Sequence, residues 1–214
     1  MSKTKLILIR HGQSIGNLNR VYLGHTDWDL SELGYQQADL VCDFLKNEKI
    51  DAVYSSDLMR AYNTVLPIAN QRGLSIIKNK NLREIFAGEW EGKHYEELVS
   101  EYKKPYHIWK TDIGNAGCTG GETVIELQKR IFDEIRKIAE ENMGKTVCIG
   151  THATPIRTLN AAVNNISKDE MYQIPWATNA SVTVLEYNNC KFTMLKYGED
   201  AFLGDAITAF GRNI

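Results

Sequence analysis

Residues 5–17 read Lys5-Leu6-Ile7-Leu8-Ile9-Arg10-His11-Gly12-Gln13-Ser14-Ile15-Gly16-Asn17. Four consecutive apolar residues, Leu6 to Ile9, mark a strand buried on both faces of a parallel sheet. The run stops at a cation, an imidazole and a glycine, where a buried strand emerges into a loop. In open α/β sheets, ligands bind at that carboxyl edge. Arg10 offers a planar fork for two oxygens of a phosphate. His11 offers a nitrogen that is nucleophilic when neutral. Gly12 admits close backbone approach, and Ser14 and Asn17 can donate further hydrogen bonds. Three residues alone do not make a site, so the rest of the chain has to decide.

The 214 residues are enough for one good-sized core, and no stretch reads as a linker, so one α/β domain over 1–214 is expected. With a formal charge of −2 and scattered basic residues, the chain gives no footprint for nucleic acid or a membrane surface. It shows no charged-then-apolar leader and no long apolar span, which points to a cytoplasmic protein. Cys42, Cys118, Cys148 and Cys190 are widely spaced and read as buried free thiols.

Downstream of Asn17, residues 20–30 are irregular. Ser31 reads as an N-cap, and Leu33, Leu40, Val41, Phe44 and Leu45 give a helix to about Lys46. Ala52 to Tyr54 is a short strand running into Ser55. A helical stripe follows at Leu58, Tyr62, Val65, Leu66 and Ala69, with Ser56 or Asp57 as its cap. Pro67 predicts a kink or an early end there. Residues 75–78 read as a strand, and about 85–121 as an insertion holding one or two helices. From Glu122 an amphipathic helix runs towards Gly144. Thr146 to Gly150 is a second buried strand leading to a histidine, His152, with a helix from about Pro155 to Val163. Residues 181–187 and 191–197 form a hairpin around Asn188-Asn189. This order predicts a three-layer α/β/α sandwich with a mostly parallel sheet and a C-terminal hairpin. Right-handed crossovers bring Arg10, Ser55 and Gly150 to one edge.

Three strand exits then carry reactive groups: Arg10-His11, Arg60 one turn into a helix, and His152. Two arginines, two histidines and a helix N-terminus at one edge describe a phosphate pocket. A metal-dependent site would need clustered carboxylates, and the irregular stretch after Asn17 offers only the pair Asp27 and Asp29. Arg157 reads as structural, and His25, His94 and His107 as loop or surface residues.

These blocks resemble the histidine phosphatase superfamily, the phosphoglycerate-mutase-like group. The resemblance rests on residues 10–17, on Leu30-Ser31-Glu32-Leu33-Gly34, and on Ser55 to Ala61 with Thr64. Leu82-Arg83-Glu84-Ile85, Gly88-Glu89-Trp90-Glu91-Gly92, Gly121-Glu122 and His152 with Arg157 complete it. It covers most of the chain. It implies that His11 is a nucleophile that becomes phosphohistidine, that Arg10, Arg60 and His152 hold the phosphoryl oxygens, and that Glu84 is the general acid. Substrate would be bound by Gln13, Ser14, Asn17, the backbone at Leu23-Gly24, and Ala153. No cofactor and no metal is implied. The implied partner is a small-molecule phosphate ester, and a homodimer is compatible with the sequence but not demanded by it.

One departure stands out. The family usually has Gly-Gly or Gly-Asn after the second histidine, whereas Ala153-Thr154 follows His152 here. Alanine resists a positive φ, so phosphate binding through that amide is expected to weaken. Mutases of the family carry a longer insertion with added arginines, but residues 85–121 contain none. The expected activity is therefore a metal-independent phosphomonoesterase. A phosphoglycerate mutase and an inactive phosphate-binding protein are the alternatives. Phe86, Trp90, Tyr95, Tyr106 and Trp109 either wall a substrate pocket or pack within the insertion.

Overall fold

The computed structural model describes residues 3–208. Strand β1 (Thr4–Arg10) is the centre of a six-stranded sheet. It pairs in parallel with β4 (Thr146–Thr151), which pairs in parallel with β2 (Ala52–Ser55) and through it with β3 (Ile76–Lys78). On its other side β1 meets β5 (Val182–Asn188) antiparallel, and β6 (Lys191–Glu199) closes that edge as a hairpin. The strand order is β3-β2-β4-β1-β5-β6.

The apolar run of β1 is continuous because both of its faces are covered. Successive side chains alternate, so Leu6 and Leu8 join one core while Ile7 and Ile9 join the other. The first core is closed by α6 (Val124–Glu141) and α7 (Ala153–Val163). The second is closed by α2 (Glu32–Phe44) and α3 (Met59–Arg72). Register then sets the site, because Arg10 lies opposite Thr151 and Ser55 opposite Gly150. The ends of three parallel strands therefore meet at one edge.

Several boundaries differ from the sequence reading. Helix α3 runs through Pro67 to Arg72 and stops at Gly73 with φ 63°. Burial of Ala61, Val65, Ile68 and Ala69 outweighs the ~3 kcal/mol an interior proline costs. Its start is not capped by Ser56 or Asp57. Leu58 is the N-cap residue, and the first free N–H, that of Met59, donates instead to Asp27 Oδ1 at 2.7 Å. Helix α6 begins after a Thr123–Glu126 capping box, and α7 begins two residues before Pro155. The hairpin turns on Asn189-Cys190, both at positive φ, not on Asn188-Asn189. A one-turn helix, α1 (Ile15–Leu18), follows the glycine of the opening loop and has no sequence period long enough to announce it. The insertion holds α4 (Tyr95–Glu101) and α5 (Lys103–Thr111). Cys42, Cys118 and Cys148 are buried free thiols, but Cys190 sits in the hairpin turn and is exposed. No helix among the described residues is long and apolar enough to cross a membrane.

Ile135 of α6 is 1% exposed against the sheet. Ile135→Ala should lower unfolding free energy by roughly 2–5 kcal/mol, read from urea midpoints at unchanged m-value. Arg136→Ala, one residue on and exposed, should change it by about 0.5 kcal/mol or less. Equal losses would show that α6 is not seated as described.

Candidate active site

The site is built on the turn after β1. His11 N–H is fixed by the Thr151 carbonyl at 2.9 Å, and its own carbonyl accepts from Asn179 Nδ2 at 3.1 Å and Ala180 N–H at 3.2 Å. Gly12 N–H donates to Thr64 Oγ1 at 2.9 Å, and that hydroxyl donates to the Arg60 carbonyl at 2.7 Å. A side chain at position 12 would strike the Gly34 carbonyl at 2.6 Å, so only glycine allows this crossing of β1's exit over α2. The His11 ring is oriented by one bond, Nδ1 to the Gly12 carbonyl at 2.7 Å. A carbonyl cannot donate, so Nδ1 carries the proton and Nε2 keeps its lone pair.

Arg10 and Arg60 are both buried. Arg10 donates to the Ala177 carbonyl, and Arg60 donates to the carbonyls of Gly24 at 2.7 Å and Thr26 at 2.9 Å. Burial pushes both guanidiniums down to about 10, so both stay charged at neutral pH. His11 is held well below its ordinary range by burial, then by the charges of Arg60 and Arg10. His152, at 0% exposure, is depressed by burial, then by Arg60 and His11. Its ring centroid lies 5.2 Å from that of His11, edge to face. Its Nε2 is 2.9 Å from Ser56 Oγ, and its Nδ1 is buried with no hydrogen-bond partner.

These groups border an inner cavity of about 70 Å³, room for a few water-sized groups. Arg10, His11, Ser14, Asn17, Leu23, Gly24, Arg60, Glu84 and Ala153 all line it. His152 lies behind that wall. Gln13 does not line it either, because its side-chain oxygen accepts from Ser31 Oγ at 2.8 Å and ties the loop to α2. Ser14 Oγ is engaged as the N-cap of α1, accepting from Asn17 N–H at 3.0 Å. Asn17 Oδ1 accepts from Ser14 N–H and Asn179 Nδ2, which leaves its NH₂ as the group it can offer. Glu84 does not pair with Arg83, which forms a two-pronged bridge to Asp57 at 2.6 Å. The Glu84 carboxylate accepts from Ile85 N–H at 2.8 Å and Thr154 N–H at 3.3 Å.

The replacement after the second histidine introduces no backbone strain. His152 is the N-cap of α7 and Ala153 its first helical residue, without a positive φ, so alanine fits there. Among the aromatics of the insertion, Tyr95 and Trp109 line the cavity. Trp90 and Tyr106 are buried and pack edge to face behind it, and Phe86 lies against His25 near the surface. Among the described residues, no three His, Cys, Asp or Glu side chains are grouped as metal ligands would be.

The description "Histidine phosphatase superfamily (branch 1)" matches residues 6–200. The chain belongs to the histidine phosphatase superfamily. It is 31% identical over 201 residues to Phosphoserine phosphatase 1 of Hydrogenobacter thermophilus, covering 94% of this chain and 95% of that one. It is also 31% identical to Phosphoglycerate mutase-like protein 4 of Arabidopsis thaliana, covering 93% and 86%. Among solved structures it is similar to Bacillus stearothermophilus YhfR, with a TM-score of 0.90 at 28% identity over 94% of this chain and 99% of that one.

This histidine phosphatase superfamily member also uses residues that carry no chemical signature in the sequence. Glu91 accepts from the backbone of His25 (2.7 Å), Thr26 (2.7 Å) and Ala87 (3.0 Å) and from the Thr26 hydroxyl (2.6 Å). It thereby holds in place the loop carbonyls that receive Arg60. Gly24, at φ 49°, passes so close that a Cβ would collide with the Glu91 carboxylate. His25, expected to be an idle loop residue, donates Nε2–H to the Glu84 carbonyl at 2.9 Å, and Arg130 reaches the same oxygen at 3.1 Å from α6. Val21, Tyr22 and Trp176 complete the cavity wall. Only Glu91 had a visible cue, its place in Gly88-Glu89-Trp90-Glu91-Gly92.

The depressed histidines have a consequence for stability. Unfolded, His11 and His152 take up protons near pH 6.5, but folded they do so only well below it. The unfolded state therefore binds more protons below pH 6.5, and stability falls as pH drops through that window. Each histidine should contribute a slope of up to about 1.4 kcal/mol per pH unit. Imidazole ¹⁵N spectra at pH 6 should show both rings neutral. A normal titration near 6.5 in the free protein would contradict this electrostatic picture.

Proposed function

We propose that the chain hydrolyses small organic phosphate monoesters through a phosphohistidine at His11, without a metal. The observation that carries this reading is the Nδ1–Gly12 bond, which leaves Nε2 unprotonated beside two buried guanidiniums. Phosphoryl transfer develops charge on the equatorial oxygens, so fixed cations and positioning supply most of the catalysis. Arg10 and Arg60 are those cations, the Asn17 amide is a neutral donor in the same cavity, and His152 packs edge to face behind His11.

In the first step Nε2 bonds to phosphorus as the ester P–O bond breaks, and the leaving alkoxide takes a proton from Glu84. In the second step the Glu84 carboxylate takes a proton from water as the oxygen attacks phosphorus. The P–N bond breaks and inorganic phosphate leaves. Gln13 is left out of the substrate contacts, because it does not line the cavity and its Oε1 is tied to Ser31. The phosphatase names among the relatives agree with hydrolysis.

Glu84→Gln tests the assignment. It should slow esters of poor leaving groups, such as alkyl phosphates, at least about 100-fold. p-Nitrophenyl phosphate, whose phenolate hardly needs a proton, should be slowed far less. Wild-type enzyme should release phosphate equally well with EDTA present. Equal slowing of both ester types would remove Glu84 as the acid. Interconversion of 3- and 2-phosphoglycerate with little phosphate release would favour a mutase instead.

A further inference from the structure

A second, larger cavity of about 570 Å³ adjoins the inner one. Trp109 and Trp176 line both, with ring centroids 6.3 Å apart and planes 29° from parallel. The inner cavity has room for little beyond a phosphoryl group, so the body of an extended substrate must pass this pair of rings. Beyond it lies Arg157, 5% exposed, with its guanidinium 4.3 Å from the Trp176 ring centroid.

Arg157 Nη2 donates to the carbonyls of Met171 at 3.2 Å and Tyr172 at 3.0 Å. Among the described residues its buried Nε has no hydrogen-bond partner, and Nη1 makes no bond. No carboxylate pairs with Arg157 among the described residues. Lys110 adds a second cation to the same cavity. Asp200, which accepts from Thr178 Oγ1 at 2.8 Å, is its one acidic side chain, so two cations against one carboxylate give the cavity a net positive charge. A buried cation supported by carbonyl dipoles and one aromatic face, with no carboxylate beside it at the wall of an open cavity, is short of an anion. The two cavities are also mechanically joined, since Arg10 of the inner one holds the Ala177 carbonyl beside Trp176.

We infer that the outer cavity is a subsite for the far end of the substrate. That end carries a second oxyanion, a carboxylate or a phosphate, which pairs with Arg157 and Lys110 while the connecting body lies along Trp109 and Trp176. The inference rests on the phosphomonoesterase reading and narrows its substrate class to extended esters with an anionic end.

The test is a ladder of alkyl phosphates of increasing length, each ended by a methyl, a carboxylate or a second phosphate. At one chain length kcat/KM for an anionic end should exceed that for the methyl end by roughly tenfold or more, as for a charge-assisted contact. Which anion gains more identifies the group. The preference should vanish in Arg157→Gln and shrink in Lys110→Gln, with methyl-ended esters little changed by the latter. Arg157 also holds two carbonyls, so melting curves and Arg157→Lys accompany it. Lys110 is exposed, and its replacement carries little folding risk. No anionic preference at any length, or one untouched in both variants, would overturn the subsite. Failure of the wild type to hydrolyse any of these esters would instead overturn the phosphomonoesterase reading.

Discussion

Two guanidinium ions are buried at the end of one sheet, and much of the surrounding structure follows from keeping them there. Removing such an ion from water costs several kcal/mol after relaxation. Arg60 is compensated by the carbonyls of Gly24 and Thr26, and Arg10 in part by that of Ala177. Carbonyl dipoles steady a cation without neutralising it. The charge therefore remains available to an anion, and it also lowers the proton affinity of the two histidines beside it. One arrangement thus supplies both fixed positive charge and a neutral imidazole, the two features that the proposed phosphoryl transfer to His11 needs.

Holding those carbonyls in place explains residues that touch no reacting atom. The irregular segment after Asn17 would be a loose loop if Glu91 did not gather the N–H groups of His25 and Thr26. Glu91 comes from the insertion, whose buried Trp90 anchors it among Tyr22, Tyr106 and Trp109. On the opposite wall Arg130 bridges Glu122 and the carbonyls of Asn81, Arg83 and Glu84, so α6 braces the loop carrying Glu84. The insertion and α6 are therefore supports for the site as much as parts of the core.

The legible features of the sequence were those that repeat or that sit at an element's end. Leu6 to Ile9 and Val147 to Ile149 read as doubly buried strands because both of their faces are covered, and their ends located Arg10, His11 and His152. Non-local contacts were not legible. Pro67 argued against a helix that burial sustains, and the cap of α3 comes from Asp27, thirty-two residues away in sequence. Nothing in the neighbourhood of Gln13 reveals the bond from Ser31 to its side-chain oxygen. His25 looked idle because its partner is a backbone carbonyl, which has no sequence signature. Ala153 looked strained only while α7 was taken to begin at Pro155.

The most direct measurement is trapping of the covalent intermediate. Enzyme mixed with phosphoryl-labelled p-nitrophenyl phosphate and quenched within a turnover should carry label that is stable in base and lost in acid. Peptide mapping should find it on the segment containing His11, and His11→Ala should carry none. Label in a base-labile linkage, or wild-type turnover by His11→Ala, would contradict the assignment of His11 as the nucleophile.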